Sequence, residues 1–239
     1  MQELNIFPDV QQLNAGLAQA LVSELENVLG KGQHPLTLAI SGGRTPQGLL
    51  ARLVDHHIHS PIWQQVEIIW VDERHVPFHD PDSNYGNARP FIEALGVPSK
   101  HIHPMGQNPD TVKAALEYHE FLTQMIHRRP AGQALFDLTL LGLGPDGHLA
   151  SLFPGTDHEH DTELCKASIQ PESGQARISL TLPALNSSNC CIFMASGAAK
   201  ADIISRVFQS APNPELPATL IAPIHKPIWF LDQAAAPQN

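Results

Sequence analysis

Apolar positions along the chain fall into two alternating rhythms. Val10, Leu13, Leu17, Leu21, Leu25 and Leu29 recur at helical spacing across residues 9–29, forming the buried stripe of an amphipathic helix. The stretch Leu36-Thr37-Leu38-Ala39-Ile40 then breaks that spacing with a short, nearly continuous apolar run, the pattern of a buried strand. The same logic predicts a helix from Pro46 to about Asp55, a strand over Val66–Val71 and a helix over Asn87–Leu95. An extended piece over His101–Met105 and a long helix over Thr111–Arg128 follow. The second half repeats the idea, with strands near 135–141, 176–182 and 189–195, a helix over 198–209 and a last strand over Ile228–Leu231. Strands alternating with helices predict an α/β protein: a Rossmann-like, open, mostly parallel sheet flanked by helices. No internal repeat or linker is visible, so residues 1–239 read as a single domain, with the active site expected at the carboxyl ends of the strands. The acidic, histidine-bearing stretch Thr156–Thr162 reads as an irregular insert.

Composition narrows the partners. The formal net charge of −10 argues against nucleic acid and anionic membranes, which require clustered Lys and Arg, but leaves room for one local basic pocket. The first dozen residues lack the basic start and apolar core of a signal peptide, and no apolar run approaches bilayer length. Three unpatterned cysteines, Cys165, Cys190 and Cys191, fit a reducing compartment, and a cytoplasmic protein is the expectation. Nothing in the pattern sets the oligomeric state; a monomer or weak dimer is expected.

Four loops follow predicted strands, and in a parallel sheet they share one rim. In Ser41-Gly42-Gly43-Arg44-Thr45-Pro46 two glycines turn the chain into a helix, allowing backbone N–H groups to approach an anion, with a hydroxyl and a guanidinium beside them. Plain strand-to-helix turns use the same residues, and the G-K-[ST] ending of a Walker loop is missing. Asp72-Glu73-Arg74 places three charges at the end of an apolar strand, where Arg74 can stabilise developing negative charge and the carboxylates can orient it or a sugar hydroxyl. Downstream, Asn84 and Arg89 supply further polar groups.

The third loop contains Gly142, Gly144 and Gly147, spelling G-x-G-x-x-G. A dinucleotide site needs that turn to open a long helix, yet Pro154-Gly155 stops the chain within about two turns. Asp146 and His148, in the same turn, fit proton transfer better. The fourth loop carries Lys200, a counter-charge for a phosphate. His56, His57, His59, His101 and His103 lack a third ligand at metal-site spacing and read as surface or half-buried side chains. His158 and His160 form no closed site, and no metal is expected.

Taken in order, these segments resemble the 6-phosphogluconolactonase family over nearly the whole chain. The resemblance rests on the S-G-G loop closed by Pro46, and on D-E-R-x-V-P at Asp72–Pro77 with Ser83-Asn84 and Arg89 at family spacing. It also rests on G-x-G-x-D-G-H-x-A-S-L-F-P-G at Gly142–Gly155, Arg177-Ile178-Ser179-Leu180, and the turn Gly197–Ala201. The related glucosamine-6-phosphate deaminases usually have D-E-Y or D-E-F where this chain has Arg74, which favours the lactonase side. A further family segment departs from the pattern at Pro217–Ala222, and no substrate contact is assigned there.

The resemblance implies hydrolysis of a phosphosugar lactone, 6-phospho-D-glucono-1,5-lactone, in the oxidative pentose phosphate pathway, without redox cofactor or metal. On that reading His148 is the general base, Arg74 stabilises the oxyanion, and Asp146 fixes the histidine tautomer. Ser41, Gly42, Gly43, Arg44 and Lys200 hold the phosphate; Thr45, Asp72, Glu73, Asn84, Arg89, Gly144, Gly147 and Arg177 complete the expected substrate surface. Two alternatives remain open: a sugar-phosphate isomerase or deaminase, and a non-catalytic phosphosugar sensor.

Overall fold

The computed structural model describes residues 3–30, 35–158, 160–225 and 227–237, and of residues 44 and 45 the backbone alone. Three central strands, β2 (Leu36–Ile40), β3 (Val66–Trp70) and β6 (Phe136–Leu141), are buried at every position. Strands apolar on both faces need cover on both faces, which parallel α/β sheets provide. With β1 (Glu3–Phe7), β5 (Ile102–His103), β9 (Ser188–Ala195) and β10 (Ile228–Asp232), they form a seven-stranded sheet in the order β1-β10-β9-β6-β2-β3-β5. Every pairing in it is parallel.

Among the described residues, five helices lie where the pattern predicts them: α1 (Val10–Gly30), α2 (Arg44–His57), α3 (Asn84–Ala94), α4 (Thr111–Arg128) and, after the short and unanticipated α5 (Leu182–Asn186), α6 (Ala201–Gln209). Asp110 caps α4 by accepting from the amides of Val112 and Lys113, which is why that helix begins where it does. Residues 198–200 form a separate 3-10 turn ahead of α6 rather than its first turn.

One expectation needs correcting. The strand expected near 176–182 is β8 (Ala176–Leu180), and it lies outside the main sheet. It forms the centre of a three-stranded antiparallel sheet between β4 (Asp72–Arg74) and β7 (Cys165–Ile169). Beyond Val71 the chain leaves the parallel sheet, and β4 pairs with β8 in the register Asp72↔Ser179, Glu73↔Ile178, Arg74↔Arg177. Short apolar alternation looks the same in either sheet, so the partner is decided by tertiary contacts. α4 packs against β7 and β8 and fixes this small sheet to the body.

The order β6-β2-β3 contains a topological switch: from β2 the chain continues to β3 on one side, and later returns as β6 on the other. The crevice beyond the carboxyl ends of such strands is where open α/β sheets bind ligands. At the opposite ends of the strands, a buried ion pair between Arg129 and Asp137 (2.8 Å) ties α4 to β6, with Thr37 of β2 and Asn189 of β9 also bonded to Asp137. All three cysteines are buried and unpaired, and burial pushes the thiols of Cys190 and Cys191 up to about 11 and about 12. Among the described residues no helix is long and apolar enough to cross a membrane.

Candidate active site

A cleft of about 590 Å³ opens beyond β2, β3, β6 and β9, and all four loops singled out in the sequence line it. The Ser41 hydroxyl donates to the Leu140 carbonyl (2.9 Å) and accepts from the Gly142 amide (3.1 Å), so it clamps the first loop to the third across the switch point. The glycines beside it serve different needs. Gly43 has φ 95°, in the left-handed region, whereas a Cβ on Gly42 would overlap the amide of Asn84. The side chains of Arg44 and Thr45 lie outside the described residues.

Around β4 the pleat separates neighbouring residues. Asp72 and Arg74 line the cleft; Glu73, between them, does not. Glu73 is 1% exposed and accepts from the amides of Arg74, Asn84 and Tyr85 and from the Ser83 hydroxyl, closing the start of α3 from beneath. Burial raises its carboxyl above the ordinary range despite those donors. Its place is thus behind the wall expected to touch substrate. Arg89 is displaced further: it pairs with Glu93 (2.6 Å) on the exposed side of α3, in a separate surface hollow with Phe78 and His79. A helical turn beyond Ser83 carries Arg89 away from the rim.

Arg177 does line the cleft, directly opposite Arg74 in the β4–β8 register. Burial and then the charge of Arg74 lower the affinity of Arg177 for its proton. Each guanidinium has a buried Nε without a hydrogen-bond partner, while Arg74 Nη1 donates to the Asp82 carbonyl (2.6 Å). Like charges facing each other across an antiparallel pair are unfavourable. An anion in the cleft between them relieves that repulsion.

The third loop is a compact turn, not a helix start. Gly144 N–H donates to the His148 carbonyl (2.8 Å), Gly147 N–H donates to Gly144, and Gly147 has φ 92°. His148 Nδ1 lies 2.5 Å from Asp146 Oδ1, the pair that the sequence placed in one turn. An ionised carboxylate only accepts, so this contact assigns the proton to Nδ1 and leaves Nε2 as the basic nitrogen of the neutral ring. Burial pushes the Asp146 carboxyl up, but the hydrogen bond and charge of His148 outweigh it and hold the group below its ordinary value. The Phe153 ring packs 5.1 Å from the imidazole, centre to centre.

The fourth loop brings Lys200 to the same wall. Its Nζ donates to the Leu143 carbonyl (2.5 Å); burial lowers its proton affinity and the charge of Asp146 opposes this. Gly197 N–H, bonded to both carboxylate oxygens of Asp232 (3.0 Å), anchors that turn to the end of β10.

Gln170, Glu172 and Ser173, from the turn between β7 and β8, also line the cleft and were not anticipated. Pro171, Glu172, Ser173 and Gly174 between two short apolar stretches are a hairpin signal that would have revealed them. His158, in the acidic stretch, is buried at 2% exposure, with Nε2 near the Phe153 carbonyl (2.8 Å) and Nδ1 near Lys166 Nζ (3.3 Å). Among the described residues no group of three or more His, Cys, Asp or Glu side chains is placed to hold a metal ion.

With this geometry in place, comparison with known proteins gives the lineage. Residues 8–229 match the model of the glucosamine-6-phosphate isomerase/6-phosphogluconolactonase family. The chain belongs to that family. Its relatives include the 6-phosphogluconolactonase of Homo sapiens, 33% identical over 245 residues covering 98% of this chain and 92% of the human one. The 6-phosphogluconolactonase of Haemophilus influenzae is 32% identical, with 96% of each chain covered. Among solved structures of the family, the 6-phosphogluconolactonase of Trypanosoma brucei superimposes with a TM-score of 0.82 at 25% identity, covering 98% of this chain and 97% of that one. The cleft at the switch point is therefore the site to consider within this glucosamine-6-phosphate isomerase/6-phosphogluconolactonase fold.

Proposed function

We propose that the protein is a 6-phosphogluconolactonase, hydrolysing 6-phospho-D-glucono-1,5-lactone to 6-phospho-D-gluconate in the oxidative pentose phosphate pathway. The observation that carries this reading is the His148–Asp146 contact, set in a cleft that also holds Arg74, Arg177 and Lys200. An ester-opening enzyme acting on a phosphorylated sugar needs a base for water, a donor for the oxyanion and cations for the phosphate. The curated relatives named above carry the same activity in their names.

In the proposed reaction His148 Nε2 takes a proton from water as the water oxygen bonds to C1. The carbonyl oxygen becomes an oxyanion stabilised by Arg74, whose Nη1 is held by the Asp82 carbonyl while its Nε has no protein partner and can donate to that oxygen. As the tetrahedral intermediate collapses, the bond from C1 to the ring oxygen breaks and His148 returns its proton to that oxygen. Asp146 steadies the imidazolium formed in between. Lys200, Arg177 and the amides of Gly42 and Gly43, with Arg44, hold the phosphate, while Ser41 shapes that loop from behind. Oxidation states do not change, so the step calls for no redox cofactor. A positioned base contributes roughly 10²–10⁴-fold, enough for an activated ester, and no serine nucleophile is required.

The test is proton release from freshly generated lactone at mildly acidic pH with chelator present, wild type beside His148→Ala. Rapid release by wild type, slowed about 10²–10⁴-fold in the variant, is expected. No acceleration by wild type overturns the reading and directs attention to ammonia release from glucosamine 6-phosphate.

A further inference from the structure

We propose that Ser151 is a positioning residue for this reaction, holding His148 at its working distance from Arg74 and Arg177 through the carboxylate of Asp72. The inference rests on the reading above, in which His148 is the base.

Ser151 lies three residues beyond His148 and is 1% exposed. Each of its polar atoms is bonded to a different strand of the small antiparallel sheet. Its amide donates to Ser179 Oγ on β8 (3.1 Å), its hydroxyl donates to Asp72 Oδ2 on β4 (2.7 Å), and its carbonyl accepts from Ser168 Oγ on β7 (3.0 Å). One residue thus fastens the histidine loop to all three strands. Two of those strands carry the cleft's guanidiniums, Arg74 on β4 and Arg177 on β8. The distance from the base to both cations is set through this attachment.

The backbone beside it supports the assignment. Ala150 has φ 48° and is the one non-glycine residue with positive φ among the described residues. A side chain held in that region persists only where its surroundings over-determine it, and such strain collects at functional sites. The three bonds of Ser151 impose it here, between the base and its anchor.

Asp72 extends the tie. Its Oδ1 accepts from Asn84 Nδ2 (3.1 Å), which also donates to the Asp72 carbonyl (2.9 Å), and the Asn84 amide lies over Gly42. Asp72 therefore joins the histidine loop to the glycine loop, and both its carboxylate oxygens already have protein donors. Asp72 also lines the cleft, so the same carboxylate faces the substrate side. The Ser151 hydroxyl, buried and donated to a carboxylate, is placed to orient its loop rather than to attack an ester.

Ser151→Ala removes the hydroxyl bond and leaves the amide and carbonyl bonds in place. On the phosphorylated lactone, kcat should fall about 10- to 100-fold with KM within about threefold, because a base displaced by on the order of 1 Å loses rate more than binding. Asp72→Ala, which also removes the Asn84 tie, should lower kcat at least as much, and the double variant should lose no more than Asp72→Ala alone, since the Ser151 hydroxyl acts through that carboxylate. A kcat for Ser151→Ala within about threefold of wild type overturns the proposal. So does a rise in KM or a lower melting temperature with kcat kept, the outcome of a purely structural role. Multiplying losses in the double variant overturn the route through Asp72. Should Ser151→Ala not fold, Ser151→Cys, which keeps a weak donor in the same place, is read by the same kcat-against-KM split. Failure of wild type to open the lactone is a different result, and it refutes the lactonase reading itself.

Discussion

Replacing Gly144 by alanine disturbs the His148–Asp146 pair without altering any ionisable group. A Cβ at this position would overlap Nδ1 and Cε1 of the imidazole and stand 2.7 Å from Asp146 Oδ1. Gly144 is not among the glycines with positive φ, so its backbone accepts alanine and the perturbation falls on the two side chains alone. Real Cβ contacts hold at 3.0 Å or more, so the ring must retreat by on the order of 1 Å. The side chain of His148 is 30% exposed and can swing towards solvent, which limits the folding cost to about 1 kcal/mol, the low end for overpacking. Catalysis has no such outlet. A displacement of that size costs about 10²-fold in rate, or ~2.7 kcal/mol of transition-state stabilisation. The assay is proton release from fresh 6-phosphogluconolactone in a pH-stat, with spontaneous opening subtracted, alongside the Kd of 6-phosphogluconate. Turnover should drop about 100-fold while product affinity stays within about threefold. Turnover within about threefold of wild type would refute the reasoning, since the base would then be indifferent to its contact with Asp146.

Two further outcomes follow from side chains whose surroundings only the fold reveals. Burial, reinforced by the Lys166 ammonium and opposed by the Phe153 carbonyl and nearby aspartates, holds His158 below its ordinary value of 6.5. The unfolded chain then takes up this proton first, so stability is lost as pH falls below 6.5 towards the folded value. His158→Asn should flatten the fall in melting temperature on the acid side of pH 6.5, and an unchanged slope would count against the buried neutral ring. Arg89→Ala removes only an exposed pair with Glu93 outside the cleft, so KM for the phosphorylated lactone should stay within about twofold of wild type. A large rise would return Arg89 to the substrate surface.

The runs 36–40, 66–70 and 136–141 announce the centre of the sheet because a strand covered on both faces is mostly apolar, its few polar residues (Thr37, Glu67, Asp137 and Thr139) being buried with the rest. Helices 10–30 and 111–128 are equally plain, since their stripe must recur every three or four residues to stay buried. Knowing that the strands are parallel is enough to bring Ser41, Asp72, His148 and Lys200 to one rim, because each lies in a loop that follows a strand. That much is local pattern combined with a general rule of α/β folds.

What the sequence could not decide was pairing and facing. Asp72, Glu73 and Arg74 are adjacent charges in the chain, and only the β4–β8 register sends the outer two into the cleft and the middle one beneath it. The same register sets Arg177 against Arg74 across about a hundred residues, a contact between distant segments that neither segment encodes by itself. Arg89, one motif further on, is carried outward by the turn of α3, and Ser151 becomes an anchor because three separate strands supply its partners. By itself the sequence determined the layers, the strand ends and the kinds of side chain gathered there, because these depend on periodicity and local turns. The tertiary structure alone decided which of those side chains face the substrate and which hold the others in place, because that depends on register and on partners far away in the chain.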